Sequence, residues 1–216
     1  MDLELDQVEV RVLGALIEKE VFAHLTSGQE EELGQAGTFR LLYLSLCYRD
    51  KGLFDAVEAV AAVNARLRAD GLAKRVQLDV AGKFYLPEEE AEFNERLGQE
   101  ALNDSQGPLV VYHGFADEPR KRDLFAQADA FVLASYYEFE AHPVSLVEAM
   151  AHGLPIIATR WRILPELFPP GYEGLVDTKS PGQIADRLEG FLGRTDEAGL
   201  RDRFLRHFTC RAFGES

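Results

Sequence analysis

From residue 39 onward, the apolar residues of this chain change spacing again and again between the near-continuous runs of buried strands and the broad stripes of amphipathic helices. Phe39-Arg-Leu-Leu-Tyr-Leu-Ser-Leu is a short apolar run of the kind a buried parallel strand shows. Lys51-Gly-Leu-Phe-Asp then opens a helix whose Phe54, Val57, Val60, Ala61 and Leu67 share one face, ended by Gly71. Arg75 to Gly82 reads as a second strand, and the charged stretch Glu88 to Leu102 as one surface helix with Leu97 and Leu102 inward. Pro108 to Gly114 gives a third strand, Arg120 to Ala128 a short helix, and Ala130 to Ala134 a fourth strand. A well-punctuated helix follows, with Pro143 near its start, Leu146, Val147, Met150 and Ala151 on its apolar side, and Gly153 after it. Pro155 to Thr159 and Gly174 to Asp177 are the last two strands. Ser180-Pro181 is read as the cap of a helix carrying Ile184, Leu188, Phe191 and Leu192, and a final helix runs from about Glu197 to Phe208 with Leu200, Phe204 and Leu205.

Strands alternating with helices predict an α/β fold, a Rossmann-like parallel sheet covered by helices on both faces. The domain is assigned to residues 39–216. Residues 1–38 differ: Val8, Val12, Ala15, Leu16 and Lys19 fall at helical spacing, and a polar turn from Thr26 follows. One helix cannot bury its own apolar face, so this short N-terminal helical extension is expected to dock on the domain or on a partner.

Composition narrows the class. With 216 residues the chain has room for one α/β domain, and 46% apolar content suits a real core. A formal charge of −14 argues against nucleic acid as a partner, since phosphate backbones are met by basic surfaces. No apolar run has transmembrane length, and the opening Met1-Asp-Leu-Glu-Leu-Asp is acidic where a secretion signal is basic. Cys47 and Cys210 form neither a disulfide framework nor a metal motif, so buried thiols in a reducing cytoplasm are expected. Peripheral association with a membrane is compatible with this reading.

In an open parallel sheet, ligands gather at the carboxyl ends of the strands. The turn after the first strand, Ser45-Leu-Cys-Tyr-Arg-Asp-Lys-Gly, lacks the Gly-x-Gly-x-x-Gly of a dinucleotide fold. It carries Lys51 just before a helix N-terminus instead, which suits an anion such as a diphosphate, although a lone loop lysine is usually just solvated. After the fourth strand, Glu140 lies at the rim and Glu148 eight residues on, inside the helix that Pro143 opens. Between them, the backbone amides near Val144 and Ser145 are donors at a helix start. The order is thus a carboxylate, phosphate-binding amides, and a second carboxylate able to hold vicinal hydroxyls. Glu138 competes with Glu140 for the first role, but its spacing to Glu148 is two residues too long.

In this context the segment Ser135 to Thr159 resembles the Glu-x7-Glu donor-site signature of retaining GT-B glycosyltransferases of family 4. The resemblance runs from Phe39 to about Phe208. Leu42-Tyr-Leu-Ser and Asp50-Lys-Gly resemble the first strand and phosphate turn, Val111-Tyr-His-Gly-Phe-Ala the nucleobase loop, and Leu164-Pro-Glu-Leu the short helix after the fifth strand. It implies one half of a GT-B fold that binds a nucleoside-diphosphate (NDP) sugar for metal-independent, retaining transfer by a hexosyltransferase-like enzyme. Glu148 would hold the ribose, the amides of Val144 and Ser145 the diphosphate, and main chain near Ala116 the base, with Lys121 nearby. Glu140 would face the transferred sugar, and Lys51 would stabilise the departing β-phosphate. No cofactor and no metal are expected. His142, where many members carry Phe, is either structural or a sugar contact. His152 is read as a helix-surface residue. Trp161 is either packing or an aromatic platform for a sugar.

Three departures accompany the resemblance. Most members carry Gly-Arg at the positions of Ser45 and Leu46; Leu46 cannot bind a phosphate, and Arg49 is the nearest substitute. The acceptor-binding half, for an unknown glycan or lipid, is expected on a separate domain, and the helix that crosses back to it is not evident after Phe208. Finally, Leu5 to Glu20 resembles the opening helix of a bacterial winged-helix family, over too short a stretch to imply DNA binding. The alternative function is a non-catalytic sugar-nucleotide-binding module or an inactive truncated transferase.

Overall fold

The protein is described by a computed structural model covering residues 37–192 and 199–209, so the helix expected near residues 8–19 and Cys210 lie outside the described residues. Six parallel strands form the central sheet: β1 (Thr38–Leu44), β2 (Arg75–Ala81), β5 (Val110–Tyr112), β6 (Ala130–Leu133), β7 (Ile156–Thr159) and β8 (Leu175–Val176). Their order is β5-β2-β1-β6-β7-β8, and each neighbouring pair is parallel. A small antiparallel ribbon, β3 (Asn103–Asp104) with β4 (Gly107–Pro108), lies outside it. The helices are α1 (Leu53–Ala69), α2 (Pro87–Leu97), α3 (Glu118–Gln127), α4 (Val144–Ala151), α5 (Pro181–Phe191) and α6 (Leu200–His207).

Alternate strand residues feed two separate cores, as expected of a sheet covered on both faces. Leu41, Tyr43, Val76, Leu78, Val80 and Val132 pack with α1, α2 and α5. Leu42, Phe131, Leu133, Ile156 and Ala158 pack with α3, α4 and α6. The chain builds outward from β1 to β5, then returns to lay β6 on the other side of β1. Between β1 and β6 the direction of winding reverses, which is where open parallel sheets place a ligand crevice. Buried Asn64 ties α1 to β2: its amide donates to the Val60 and Val76 carbonyls, each at 2.8 Å, and its oxygen accepts from Val76 N at 2.9 Å. Arg75 anchors the ribbon through Asp104 at 2.9 Å and the Pro108 carbonyl at 2.6 Å.

Four expectations are corrected. The stretch Glu88 to Leu102 is not one helix: α2 stops at Leu97, Gln99 is extended, and a separate 3-10 turn Glu100–Leu102 buries Leu102. Phe93 carries the burial of α2. Ser180 occupies the N-cap position of α5, but its hydroxyl donates to the Thr178 carbonyl at 3.1 Å. Gln183 steadies that helix start by exchanging two hydrogen bonds with Asp177, at 2.9 and 3.0 Å. Helix α3 begins two residues early, because the Asp117 carboxylate accepts from Arg120 N at 3.2 Å. His152 is not a surface residue: it is half-buried and stacked on Phe125, with ring centroids 5.0 Å apart and planes 11° apart.

Gly52 is the tightest joint. Its φ of 78° turns the chain from the loop after β1 into α1, and a Cβ there would sit 2.2 Å from the Ala134 carbonyl oxygen. Gly52→Ala is expected to cost about 2–4 kcal/mol in chemical unfolding, from left-handed strain plus overpacking against backbone. Gly171→Ala, with similar φ but open space, should cost only about 1–2 kcal/mol. Equal losses would refute the steric account.

His152 makes stability depend on pH. Burial first, and the Arg201 charge second, lower its pKa from 6.5 to about 4. As pH falls from 6.5 to about 4, the unfolded chain takes up this proton before the folded one, so the site loses stability across that window. His152→Gln should flatten this part of the unfolding-versus-pH curve; an unchanged slope would contradict the assignment.

Candidate functional site

The crevice at the β1–β6 reversal is built from two loops stitched together. After β1, Ser45 N donates to the Ala81 carbonyl at 3.2 Å and Cys47 N to the Lys83 carbonyl at 2.9 Å. This binds the loop after β1 to the loop after β2. Cys47 is buried, and burial pushes its thiol up to about 12, consistent with a structural thiol. A 3-10 turn, Arg49–Lys51, leads to Gly52. The loop after β6 closes over that turn: Tyr136 N donates to the Asp50 carbonyl at 2.7 Å, and the Ser135 hydroxyl to the same oxygen at 3.3 Å.

These contacts bring together residues 89 positions apart. The Lys51 ammonium lies 2.9 Å from both oxygens of Glu140, and 4.6 Å from the centre of the Tyr137 ring. The side chains are only 13% and 4% exposed, so each charge depends on the other for compensation. Glu148, one turn into α4, is also buried and lies 2.6 Å from the Lys121 ammonium, which reaches Glu118 at 2.8 Å as well. Burial works against the Lys121 charge, but the hydrogen bonds with the two glutamates outweigh it and raise its pKa. The first backbone bonds at the start of α4 run from Leu146 and Val147 to the Pro143 carbonyl. The amides of Val144 and Ser145 precede them and take no acceptor among the described residues.

The remaining expected residues lie outside these two ion pairs. His142 is half-buried, and its Nδ1 has no hydrogen-bond partner among the described residues. Ala116 lines a cleft of about 190 Å³ at the ends of β1 and β2, beside Leu46, Lys83, Tyr85 and Phe115. Arg49 is committed elsewhere. Its guanidinium pairs with Glu92 of α2 and lies 4.4 Å over the Phe54 ring, while its amide donates to Glu89 at 3.1 Å. Trp161 is half-buried at the rim, and its indole N–H donates to the Tyr137 carbonyl at 2.8 Å. Glu138 is exposed, outside the pair that Lys51 makes.

Sequence reasoning missed a polar network beside the crevice. Asp79, buried on β2, receives Arg40 at 3.0 and 3.2 Å and lies 2.7 Å from His113 Nε2. Arg120 lies 3.1 Å from His113 Nδ1. A guanidinium only donates, so Nδ1 accepts and Nε2–H faces Asp79. The one signal available was an aspartate interrupting the apolar alternation of β2. Among the described residues no His, Cys, Asp or Glu cluster could hold a metal ion, and no helix is long and apolar enough to cross a membrane.

Known proteins share this architecture. Residues 29–204 match the family described as glycosyl transferases group 1, starting inside the segment expected to be an extension. A protein named colanic acid biosynthesis glycosyltransferase WcaL, from Salmonella typhimurium, is 31% identical over 146 residues, 65% of this chain and 33% of that protein. The chain thus spans about a third of the length of the curated relatives it matches. Among solved structures, Anabaena HepE in complex with UDP and glucose superposes with a TM-score of 0.68 at 18% identity, covering 82% of this chain and 46% of that one. The C-terminal domain of the Francisella tularensis group 1 protein LpcC superposes with a TM-score of 0.59 at 21% identity, covering 81% of this chain and 87% of that one. The fold is that of GT-B glycosyltransferases, and with its family matched over residues 29–204 the chain belongs to the group 1 glycosyltransferases.

Proposed function

We propose that this chain is the donor-binding half of a retaining, metal-independent glycosyltransferase, with the acceptor, a glycan or lipid, held mainly by a separate domain. The observation that carries this reading is the Lys51–Glu140 pair at the β1–β6 reversal, beside the free amides that open α4. A diphosphate entering there meets an ammonium and two backbone donors, while Glu140 turns toward the transferred sugar. Glu148 accepts from the ribose hydroxyls, with Lys121 keeping its carboxylate oriented. Main chain at Ala116 meets the base, and the unpartnered His142 Nδ1 is placed to bond a sugar hydroxyl. The complex of HepE with UDP and glucose supports a UDP-sugar as donor.

In the transfer, the bond between the anomeric carbon and the β-phosphate oxygen breaks. The acceptor oxygen bonds that carbon from the same face, and its proton passes to the departing phosphate. Lys51 offsets the charge that develops on the phosphate, so its contribution grows toward the transition state. A second reading, a binding module without transfer, is favoured by one feature: Leu46 is 42% exposed at the cleft, and Arg49 is held by Glu92.

Calorimetric titration with UDP, GDP and ADP tests the donor site. One nucleotide should bind equally well with magnesium and with chelator. Lys51→Ala should weaken it about 100-fold, since it removes one charge-assisted bond and leaves Glu140 facing the phosphate. Glu148→Ala should weaken it about tenfold. Absence of binding to all three at millimolar concentration would defeat both readings; binding without transfer in the presence of the acceptor domain would select the second.

A further inference from the structure

A second cleft opens on the same rim, beyond β6. It has a volume of about 430 Å³ and is lined by Tyr136, Glu138, Trp161, Arg162, Thr178 and Lys179, from the loops that follow β6, β7 and β8. Arg162 and Lys179 are the two non-glycine residues, among those described, with positive φ, at 50° and 54°. Left-handed backbone is costly for such side chains, and both instances line this one cleft.

The charges are unusual too. In a chain of net charge −14, the residues lining the cleft include two cations and one carboxylate, Glu138, with Asp55 of α1 near enough to Lys179 to feel its charge. Neither cation makes an ion pair among the described residues. Arg162 lies over the Trp161 ring at 5.3 Å, and the Lys179 ammonium over the Tyr136 ring at 4.6 Å. Neighbouring Arg160, by contrast, is paired with Asp177 at 3.3 Å. Two cations parked on aromatic faces can swing to an incoming anion, and doing so uncovers two flat apolar surfaces suited to the C–H face of a pyranose. Glu138 and Thr178 remain to bond hydroxyls. The volume lies within the range of small-molecule sites.

The cleft is linked to the Lys51–Glu140 pair through Tyr137, which touches both Lys51 and the cleft residue Trp161. Tyr137 presents its ring to Lys51 and its carbonyl to the Trp161 indole. We propose that this cleft binds an anionic sugar, one carrying a carboxylate or phosphate, as part of the acceptor; the acceptor role, unlike the binding itself, rests on the donor-site reading above. Arg162 would grip the anion in two-point fashion, and Lys179 would add a point charge.

The test titrates the full chain with glucuronate, glucose 6-phosphate, glucose and inorganic phosphate, and separately with UDP. At least one anionic sugar should bind ten times tighter than glucose and than inorganic phosphate, and the tighter of the two identifies the anion. Saturating UDP should leave that affinity unchanged. In the double variant Arg162→Gly, Lys179→Gly the preference should vanish, UDP affinity should persist, and the melting temperature should not fall, because glycine relieves the backbone. Equal binding of glucose, equal binding of inorganic phosphate, competition by UDP, or an unaltered preference in the double variant would overturn the site. Anionic-sugar binding in a chain that fails to bind UDP would overturn the acceptor role alone.

Discussion

The reversal of winding between β1 and β6 is the constraint on which the rest of this structure depends, and the Lys51–Glu140 pair closes it. Parallel strands that diverge from a common line leave a crevice no crossover helix can fill. Here the loops from both sides meet across it through backbone bonds from Tyr136 to Asp50 and a nearly buried ion pair. Both charges have given up most of their water, so the arrangement tolerates loss of neither partner without a compensating charge. The left-handed Gly52, with its backbone against Ala134, keeps α1 near enough for Lys51 to reach. Sheet order, loop stitching and site chemistry are therefore one problem with one solution.

On the proposed donor-site reading, the same pair explains how an acidic protein would receive an acidic ligand. Each buried glutamate of the crevice is already matched by a lysine, Glu140 by Lys51 and Glu148 by Lys121. On that reading a diphosphate would meet near-neutral pairs and helix-start amides rather than the mean field of a −14 chain. Lys51 is paired with a carboxylate and, on the same reading, would be shared with a phosphate. Sharing it leaves Glu140 free to accept from a sugar hydroxyl. Donor binding would then be an exchange of partners among nearly buried groups, where charge-assisted bonds are strong.

The fold was legible because its strands are apolar on both faces and its helices on one, so the change of spacing marks each boundary. Glu140 and Glu148 were singled out by the resemblance of Ser135 to Thr159 to the Glu-x7-Glu signature, since two glutamates eight residues apart mark nothing by themselves in a chain this acidic. What failed was local: Gly98 and the extended Gln99 divide one charged stretch into two elements, and Gln183 rather than Ser180 steadies the start of α5. What was invisible was nonlocal. Lys121 meets Glu148 across 27 residues, His113 meets Asp79 across 34, and Asn64 reaches β2 across 12. No spacing rule carries such contacts, since they depend on which strands become neighbours. His152 shows the same limit: a polar residue at a helix end reads as exposed until Phe125 is seen stacked on it.

On the proposed reading, the nucleotide enters at the β1–β6 reversal and takes Lys51 from Glu140. A crystal structure of the chain with UDP tests it most directly. The expected complex has the Lys51 ammonium within hydrogen-bonding distance of a β-phosphate oxygen, the Val144 and Ser145 amides on the diphosphate, and the ribose on Glu148. UDP bound elsewhere, or bound with the Lys51–Glu140 pair intact and no phosphate oxygen on Lys51, would contradict it.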